Sequence, residues 1–111
     1  MIELRESQIN GTGVFATQDI TSGTEIGIWC CTDISKGVRV LYNIGMSRKW
    51  YETAMLGRYC NHSLTPNTSV LANENELILV SNGIAKDEEI VANYNWATEH
   101  MGFIVDTTSI D

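Results

Sequence analysis

The sequence predicts a small, mostly β domain, and three observations support this prediction. The chain has 111 residues, which is room for one domain. Short stretches of strand-forming residues alternate with turn signals along most of the chain. A single stretch has the pattern of a helix. The hydrophobic fraction of 43% and the mean hydropathy of -0.08 are typical of a folded chain rather than a disordered one.

The strands are predicted from alternation and composition. Ile2 and Leu4 alternate with charged residues, as in a short edge strand, and a second short strand follows the turn at residues 10–13. Further strands are expected within residues 25–32, which are rich in strand formers, and in the apolar stretch 38–44.

The second half of the chain predicts a hairpin and a final strand. Segments 68–72 and 77–80 flank the polar residues 73–76, which is typical of a hairpin. Residues 86–89 form a polar corner. The four apolar or aromatic residues that follow it at alternating positions are expected on one face of a strand, namely Ile90, Ala92, Tyr94 and Trp96.

Residues 47–56 are the predicted helix. Ser47 is placed to cap its amino end, and Met46 and Tyr51 are placed to form a hydrophobic staple. Gly57 is placed to end the helix.

The charge balance restricts the class of partner. Seven Lys and Arg stand against fourteen Asp and Glu, which gives a net charge of -7 and a pI near 4.6. Nonspecific nucleic-acid binding needs cations to neutralise phosphates, so we expect no direct nucleic-acid partner. The acidity suits a basic partner or simply solubility.

The ends of the chain and its hydropathy indicate an intracellular protein. The amino end carries charges within its first six residues, unlike a signal peptide, and no stretch approaches the ~18 apolar residues of a membrane span. We therefore expect no membrane association and a cytoplasmic or nuclear location, in a host cell if the chain is viral.

The cysteines and histidines predict neither disulfides nor a metal site. Cys30, Cys31 and Cys60 are odd in number and two are adjacent, so reduced thiols are expected. No C-x-x-C pair is present, and neither His62 nor His100 has carboxylates at ligand spacing.

Three segments point to a chemical function. They are Gly11-Thr12-Gly13-Val14-Phe15-Ala16, residues 56–67 with Asn61-His62-Ser63 at their centre, and residues 84–94, which end at Tyr94. A G-x-G pair alone is a weak signal. All three segments in this order and at this spacing resemble the SET domain of protein lysine methyltransferases. The resemblance runs from about Glu3 to Trp96, and the layout looks like the minimal SET proteins of large viruses, which lack flanking zinc domains.

The resemblance implies a fold. It is a β-clip of several small, mostly antiparallel sheets with one short helix, in which residues 61–63 and the strand ending at Tyr94 pack in a knot-like arrangement. We expect a single domain over residues 1–105 and a flexible tail over 106–111. The viral-type relatives also imply a homodimer.

The resemblance further implies S-adenosylmethionine as cofactor. Gly11, Thr12 and Gly13 would bring backbone N–H groups close to its carboxylate. Asn61 would hydrogen-bond its methionine part, and His62 would offer backbone groups to the adenine. The alternatives are a plain hairpin turn at residues 11–13 and an Asn-His turn at a strand end.

Four residues are expected around the reacting amine. Tyr94 is the predicted catalytic residue, with its hydroxyl aimed at the reacting centre; the alternative is a core tyrosine. Tyr42 is a second candidate, either as a lining of the lysine channel or as core. Trp96 would stack on the adenine or close the channel. Ala92 stands where relatives usually carry Phe or Tyr, so we expect a wide pocket and products up to di- or trimethyl-lysine.

The sequence thus predicts an S-adenosylmethionine-dependent protein-lysine N-methyltransferase that acts on a basic protein or a histone-like tail. Two alternatives stay open. One is an inactive SET-like module that keeps the fold and binds cofactor or peptide. The other is a structural or assembly protein on the same β-clip scaffold, which would need neither Asn61 nor Tyr94.

Overall fold

Short extended segments dominate the chain because β-branched and aromatic residues alternate with turn residues. The structure is a computed structural model that describes residues 1–41 and 49–96. Within these residues it contains the helix α1 (Leu56–Tyr59), helical backbone at residues 95–96, and nine strands, which are β1 (Ile2–Glu6), β2 (Thr12–Ala16), β3 (Glu25–Cys31), β4 (Gly37–Val40), β5 (Tyr51–Thr53), β6 (Asn61–His62), β7 (Thr68–Ala72), β8 (Glu76–Ser81) and β9 (Glu89–Ala92). The predicted mostly β fold is confirmed.

The first sheet has the strand order β1-β2-β9-β6. β1 and β2 form an antiparallel hairpin, and β2 pairs antiparallel with β9, so that Val14 lies opposite Ile90. β6 pairs with β9 in parallel, with Asn61 opposite Val91 and His62 opposite Ala92. The two segments expected to pack in a knot-like arrangement therefore lie side by side in one sheet.

The second sheet has the order β4-β5-β3-β8-β7, and all its pairs are antiparallel. β7 and β8 form the predicted hairpin. Its turn closes with a hydrogen bond from the Asn73 N–H to the Glu76 carbonyl, at 3.0 Å, and with one from the Asn75 N–H to the Asn73 side chain. Asn favours such a turn because its side chain bonds its own backbone two residues on.

The hydrophobic core joins the inner faces of the two sheets. β8 shows why it forms: Leu77 and Leu79 are fully buried and alternate with less buried neighbours, as the period of two requires. Val14 and Ile90 are also fully buried, and Leu56 brings the helix against the same cluster. The sheet that carries the three motifs is thereby fixed to the rest of the molecule.

The predicted helix over residues 47–56 is wrong in its described part except at Leu56, where helix α1 begins. Residues 51–53 form β5 instead, with Tyr51 opposite Cys31 and Glu52 opposite Cys30. The Thr53 hydroxyl donates to the Ile28 and Trp29 carbonyls, which ties this segment to β3. Tertiary pairing therefore overrides the local helical pattern. The proposed cap and staple residues Met46 and Ser47 lie outside the described residues.

Gly57 lies inside helix α1 rather than ending it. A Cβ at this position would come within 2.7 Å of the Trp29 carbonyl oxygen and 2.8 Å of the Glu52 backbone. The glycine is therefore required by close backbone packing, not by the end of a helix.

The last predicted strand ends earlier than expected. β9 stops at Ala92, and the chain then turns, with the Asn93 carbonyl accepting the Trp96 N–H at 3.1 Å. The Asn93 side chain also accepts the Asn95 N–H at 3.0 Å. Tyr94 and Trp96 thus lie beyond the strand, because Asn93 accepts hydrogen bonds from the following backbone N–H groups in place of a neighbouring strand.

No helix within residues 1–41 and 49–96 is long and apolar enough to cross a membrane. Tyr42, His100 and the tail predicted at 106–111 lie outside the described residues.

Candidate functional site

The three motif segments meet along strand β9. β2, which contains Thr12 and Gly13, lies on one side of β9, and β6, which contains Asn61 and His62, lies on the other. Tyr94 follows β9 after one intervening residue. Residues far apart in the sequence are thus neighbours because the central strand pairs with both motifs.

Asn61 is the most strongly held polar side chain of this region. It is buried, and the two N–H groups of its Nδ2 are shared among the Glu89 carboxylate at 2.8 Å, the Asn10 carbonyl at 3.1 Å and the Ser7 hydroxyl at 3.1 Å. These bonds join β6 to β9 and to the loop before Gly11. Asn61 is therefore a structured part of the site and not a simple turn residue.

Glu89 completes this cluster and was missed by sequence reasoning. Residues 87–89 have the composition of a solvated turn, but Glu89 is half-buried on β9. Its carboxylate accepts the Ser7 hydroxyl at 2.7 Å as well as the Asn61 amide. The sequence position could have indicated the role of Glu89, because Glu89 directly precedes the apolar Ile90 at the point where the final strand begins.

The two motif glycines have different structural reasons. Gly11 has a φ of 47°, in the left-handed region that favours glycine, and its carbonyl accepts the Ser7 N–H at 2.7 Å. Gly13 leaves room for Glu89, because a Cβ there would overlap the Glu89 carboxylate. Thr12 is exposed and lies opposite Glu6 in the β1–β2 hairpin.

His62 and Tyr94 are in direct contact. The Tyr94 N–H donates to the His62 Nδ1 at 3.1 Å, and the two ring centres are 5.0 Å apart. This bond occupies the Nδ1 lone pair, so that nitrogen cannot also serve as a base or a metal ligand. Within residues 1–41 and 49–96, no three His, Cys, Asp or Glu side chains form a group that could hold a metal ion.

The Tyr94 hydroxyl is fixed in one direction. It donates to the Cys60 carbonyl at 2.6 Å, and the Tyr94 ring lies 6.0 Å from the Trp29 ring. Burial, and then nearby acidic groups, raise the pKa of the Tyr94 phenol above its ordinary value. The hydroxyl therefore stays protonated at neutral pH, and its oxygen lone pairs can accept weak hydrogen bonds.

The cysteines of this region are inert. Cys60 is buried beside β9, and burial raises the pKa of its thiol to about 12. Burial also raises the pKa of the Cys30 thiol. Because the thiolate is the nucleophilic form, neither residue is suited to nucleophilic catalysis. All three cysteines are free, as the sequence predicted.

The remaining predicted residues lie at different depths. Ala92 is fully buried in the core, opposite His62, and Trp96 is half-buried against the same core. The predicted strand face that joined Trp96 to Tyr94 is replaced by the turn after Ala92. Tyr42 precedes β5 but lies outside the described residues, so its role in the channel stays a prediction.

Comparison with known proteins supports the fold. No protein-family model and no curated protein matches the chain. A crystal structure of a Plasmodium falciparum protein described as a candidate histone methyltransferase is similar, with a TM-score of 0.59 and 24% sequence identity. The match covers 85% of this chain and 96% of that chain. The SET-like β fold expected from the three motifs is therefore confirmed, whereas the viral-type layout stays a prediction.

Proposed function

We propose that this chain is an S-adenosylmethionine-dependent protein-lysine N-methyltransferase. The observation that carries the proposal is the meeting of the three motifs at β9, with the Asn61 amide and the Tyr94 hydroxyl each held by short hydrogen bonds. A plain structural β-clip has no need for either arrangement. The SET-like fold and its likeness to a candidate histone methyltransferase support the same class of reaction.

The residues present fit the cofactor in their chemistry. Within the described residues, the Asn61 Oδ1 makes no hydrogen bond, since Nδ2 is the atom bonded to Ser7, Asn10 and Glu89. A vacant acceptor beside a carboxylate suits the ammonium group of the methionine part. S-Adenosylmethionine, when bound, supplies an electrophilic methyl group on a sulfonium.

The chain's own residues would do the rest by positioning. The Tyr94 hydroxyl, bonded to Cys60, offers an oxygen acceptor of fixed direction for the amine or for a polarised C–H group. The half-buried Tyr94 ring, backed by the buried Trp29 ring, would provide an apolar surface that disfavours a charged ammonium, so that the reacting lysine amine would be neutral. Holding the amine and the methyl group in a reactive orientation lowers the barrier to methyl transfer.

The proposed substrate is a lysine of a basic protein or a histone-like tail. The net charge of -7 supports a cationic substrate, because complementary charge raises association rates. Mass spectrometry of methylated products tests the wide pocket inferred from Ala92. Dimethyl- and trimethyl-lysine are expected, and a strictly monomethyl product would count against a wide pocket.

Calorimetry with S-adenosylmethionine tests the proposal directly. The wild-type chain should bind, and Asn61→Ala should bind at least ~10-fold more weakly because a buried hydrogen-bond group is lost. Asn82→Ala is the matched control, since Asn82 is exposed and bonds Ser69 in the distant β7–β8 sheet. Failure of the wild type to bind would exclude both cofactor-dependent functions. Binding without methyl transfer to a panel of basic proteins would favour the inactive module.

A further inference from the structure

We propose that Glu89 is a positioning residue of the cofactor site: its carboxylate orients the Asn61 amide and faces the cationic amino group of the ligand's methionine end. The inference rests on the proposed function and adds to it a residue of the third motif segment that the sequence analysis did not place in the cofactor site. Its basis is the hydrogen-bond network of Glu89, Asn61 and Ser7, together with the charge of Glu89.

The orientation of the Asn61 amide follows from its partners. The Asn10 carbonyl and the Glu89 carboxylate can only accept hydrogen bonds, so the atom at 3.1 Å and 2.8 Å from them must be the amide nitrogen. The amide oxygen then points away from both. Glu89, at the shorter distance, and the Asn10 carbonyl together set the orientation in which Asn61 presents an acceptor, rather than a donor, to a ligand.

The charge of Glu89 points to a cation. The carboxylate is half-buried and accepts two bonds from neutral donors, Ser7 and Asn61. Within residues 1–41 and 49–96, Glu89 has no ion-pair partner among Lys, Arg and His. A half-buried carboxylate without a counter-charge favours a cationic ligand nearby.

Gly13 and Ser7 fit this arrangement. The space of a Gly13 side chain is taken by the Glu89 carboxylate, which could otherwise not reach both partners. The Ser7 hydroxyl is itself fixed, since it accepts the Ile9 N–H at 3.0 Å while it donates to Glu89 at 2.7 Å. The G-x-G motif therefore serves the carboxylate as well as the backbone.

Glu89→Gln is the informative substitution. The substitution keeps the length of the side chain and removes its charge. A glutamine has a single amide oxygen, so it cannot accept the hydrogen bonds of Ser7 and Asn61 on two separate oxygens. Calorimetry should compare S-adenosylmethionine with 5′-methylthioadenosine, a neutral nucleoside that lacks the amino-acid end. We expect S-adenosylmethionine to bind ~10-fold more weakly to the variant, as for a lost charge-assisted bond, and 5′-methylthioadenosine to bind within about twofold of wild type.

Two further variants keep the test decisive, with thermal unfolding as a check on each. Glu88→Gln removes the same charge one residue away, from an exposed side chain that bonds Asn67 and the Ala85 N–H, and should leave both affinities unchanged. Ser7→Ala should weaken S-adenosylmethionine binding selectively, by ~3-fold, because it removes one of the two bonds that hold the Glu89 carboxylate, and this result is informative even if Glu89→Gln fails to fold.

The outcomes separate the two proposals. An equal loss of affinity for both ligands, or unchanged or tighter binding of S-adenosylmethionine by Glu89→Gln, would overturn the role of Glu89 while the proposed function stands. Absence of S-adenosylmethionine binding by the wild type would remove the proposed function, and this inference with it.

Discussion

Tyr94 shows how one side chain can be fixed at both ends. Its backbone N–H is bonded to the His62 ring and its hydroxyl to the Cys60 carbonyl, so neither group is free to rotate. Both partners belong to the Asn-His segment or lie directly before it. The catalytic tyrosine predicted from the third motif is thus held by the second motif.

Tyr94→Phe should lower methyl-transfer turnover by ~10²-fold or more, because a preorganised hydroxyl contributes mainly in the transition state. Cofactor affinity should change little, since the ring stays in place. Single-turnover assays on a basic protein, combined with calorimetry, measure the two effects. Tyr59→Phe, on helix α1, is the control. Equal turnover of wild type and Tyr94→Phe would remove the hydroxyl from the mechanism.

Gly57→Ala should destabilise the fold by ~1–3 kcal/mol, since the added methyl group would meet the Trp29 and Glu52 backbone atoms, which cannot move aside cheaply. Chemical denaturation measures the free energy of unfolding. Arg58→Ala changes an exposed side chain in the same helix and should cost less than ~0.5 kcal/mol. Unchanged stability of Gly57→Ala would show that the helix can shift away from β3.

At the scale of elements, strand β9 depends on side chains as well as on strand pairing. The Asn67 side chain accepts the Val91 N–H at 3.0 Å and donates to the Glu89 carbonyl at 2.8 Å. The buried Thr68 hydroxyl donates to the Val91 carbonyl at 2.8 Å. These bonds add to the strand pairing and help hold β9 between the two motif strands.

Thr68→Val should cost ~1–3 kcal/mol of stability, because it keeps the shape of the side chain but leaves the Val91 carbonyl without this donor. Hydrogen exchange of the β9 amides should accelerate along with the loss of stability. Thr21→Val removes an exposed hydroxyl and serves as the control. If both variants unfold at the same denaturant concentration, the Thr68 bond does not support β9.

The elements also show what local pattern can predict. The β7–β8 hairpin was predictable because it depends on a local turn and on alternation within one segment. For β1 and β2 the sequence predicted two strands and the turn between them, and the structure adds their antiparallel pairing. The strand β5 was not predictable from local pattern, because its pairing with β3 joins residues about 20 positions apart. The helical pattern of 47–56 is local, and a weak local preference yields to many non-local contacts.

At the scale of the whole molecule, alkaline pH should lower stability. Burial raises the pKa of the Cys60 thiol from 9.0 to about 12, and also raises the pKa of Tyr94 and of Cys30. The folded state therefore prefers the protonated forms. This stabilisation is fully present below the unfolded-state pKa values of 9.0 and 10.0 and is lost as pH rises above them.

Denaturant unfolding at pH 7 and pH 10.5, with a reducing agent present, measures the loss. Tyr94→Phe should show a smaller decrease in unfolding free energy between the two pH values than wild type, since it lacks one of the three groups. The same decrease in both proteins would exclude Tyr94 as a contributor.

The expected homodimer also belongs to this scale and stays a prediction. Sedimentation of the purified chain tests it, since a homodimer would have twice the mass of 12.4 kDa. A monomer at micromolar concentration would contradict it.

The sequence by itself determined the β class, the β7–β8 hairpin, the free cysteines and the three motifs, because each depends on local composition and spacing. Its identification of Asn61 and Tyr94 came from the resemblance of those motifs to a known family. Only the tertiary structure decided what surrounds them. The half-buried Glu89, the Ser7 hydroxyl and the Cys60 carbonyl come together through the non-local pairing of β2, β9 and β6, and no local pattern can express a contact between residues so distant in the chain.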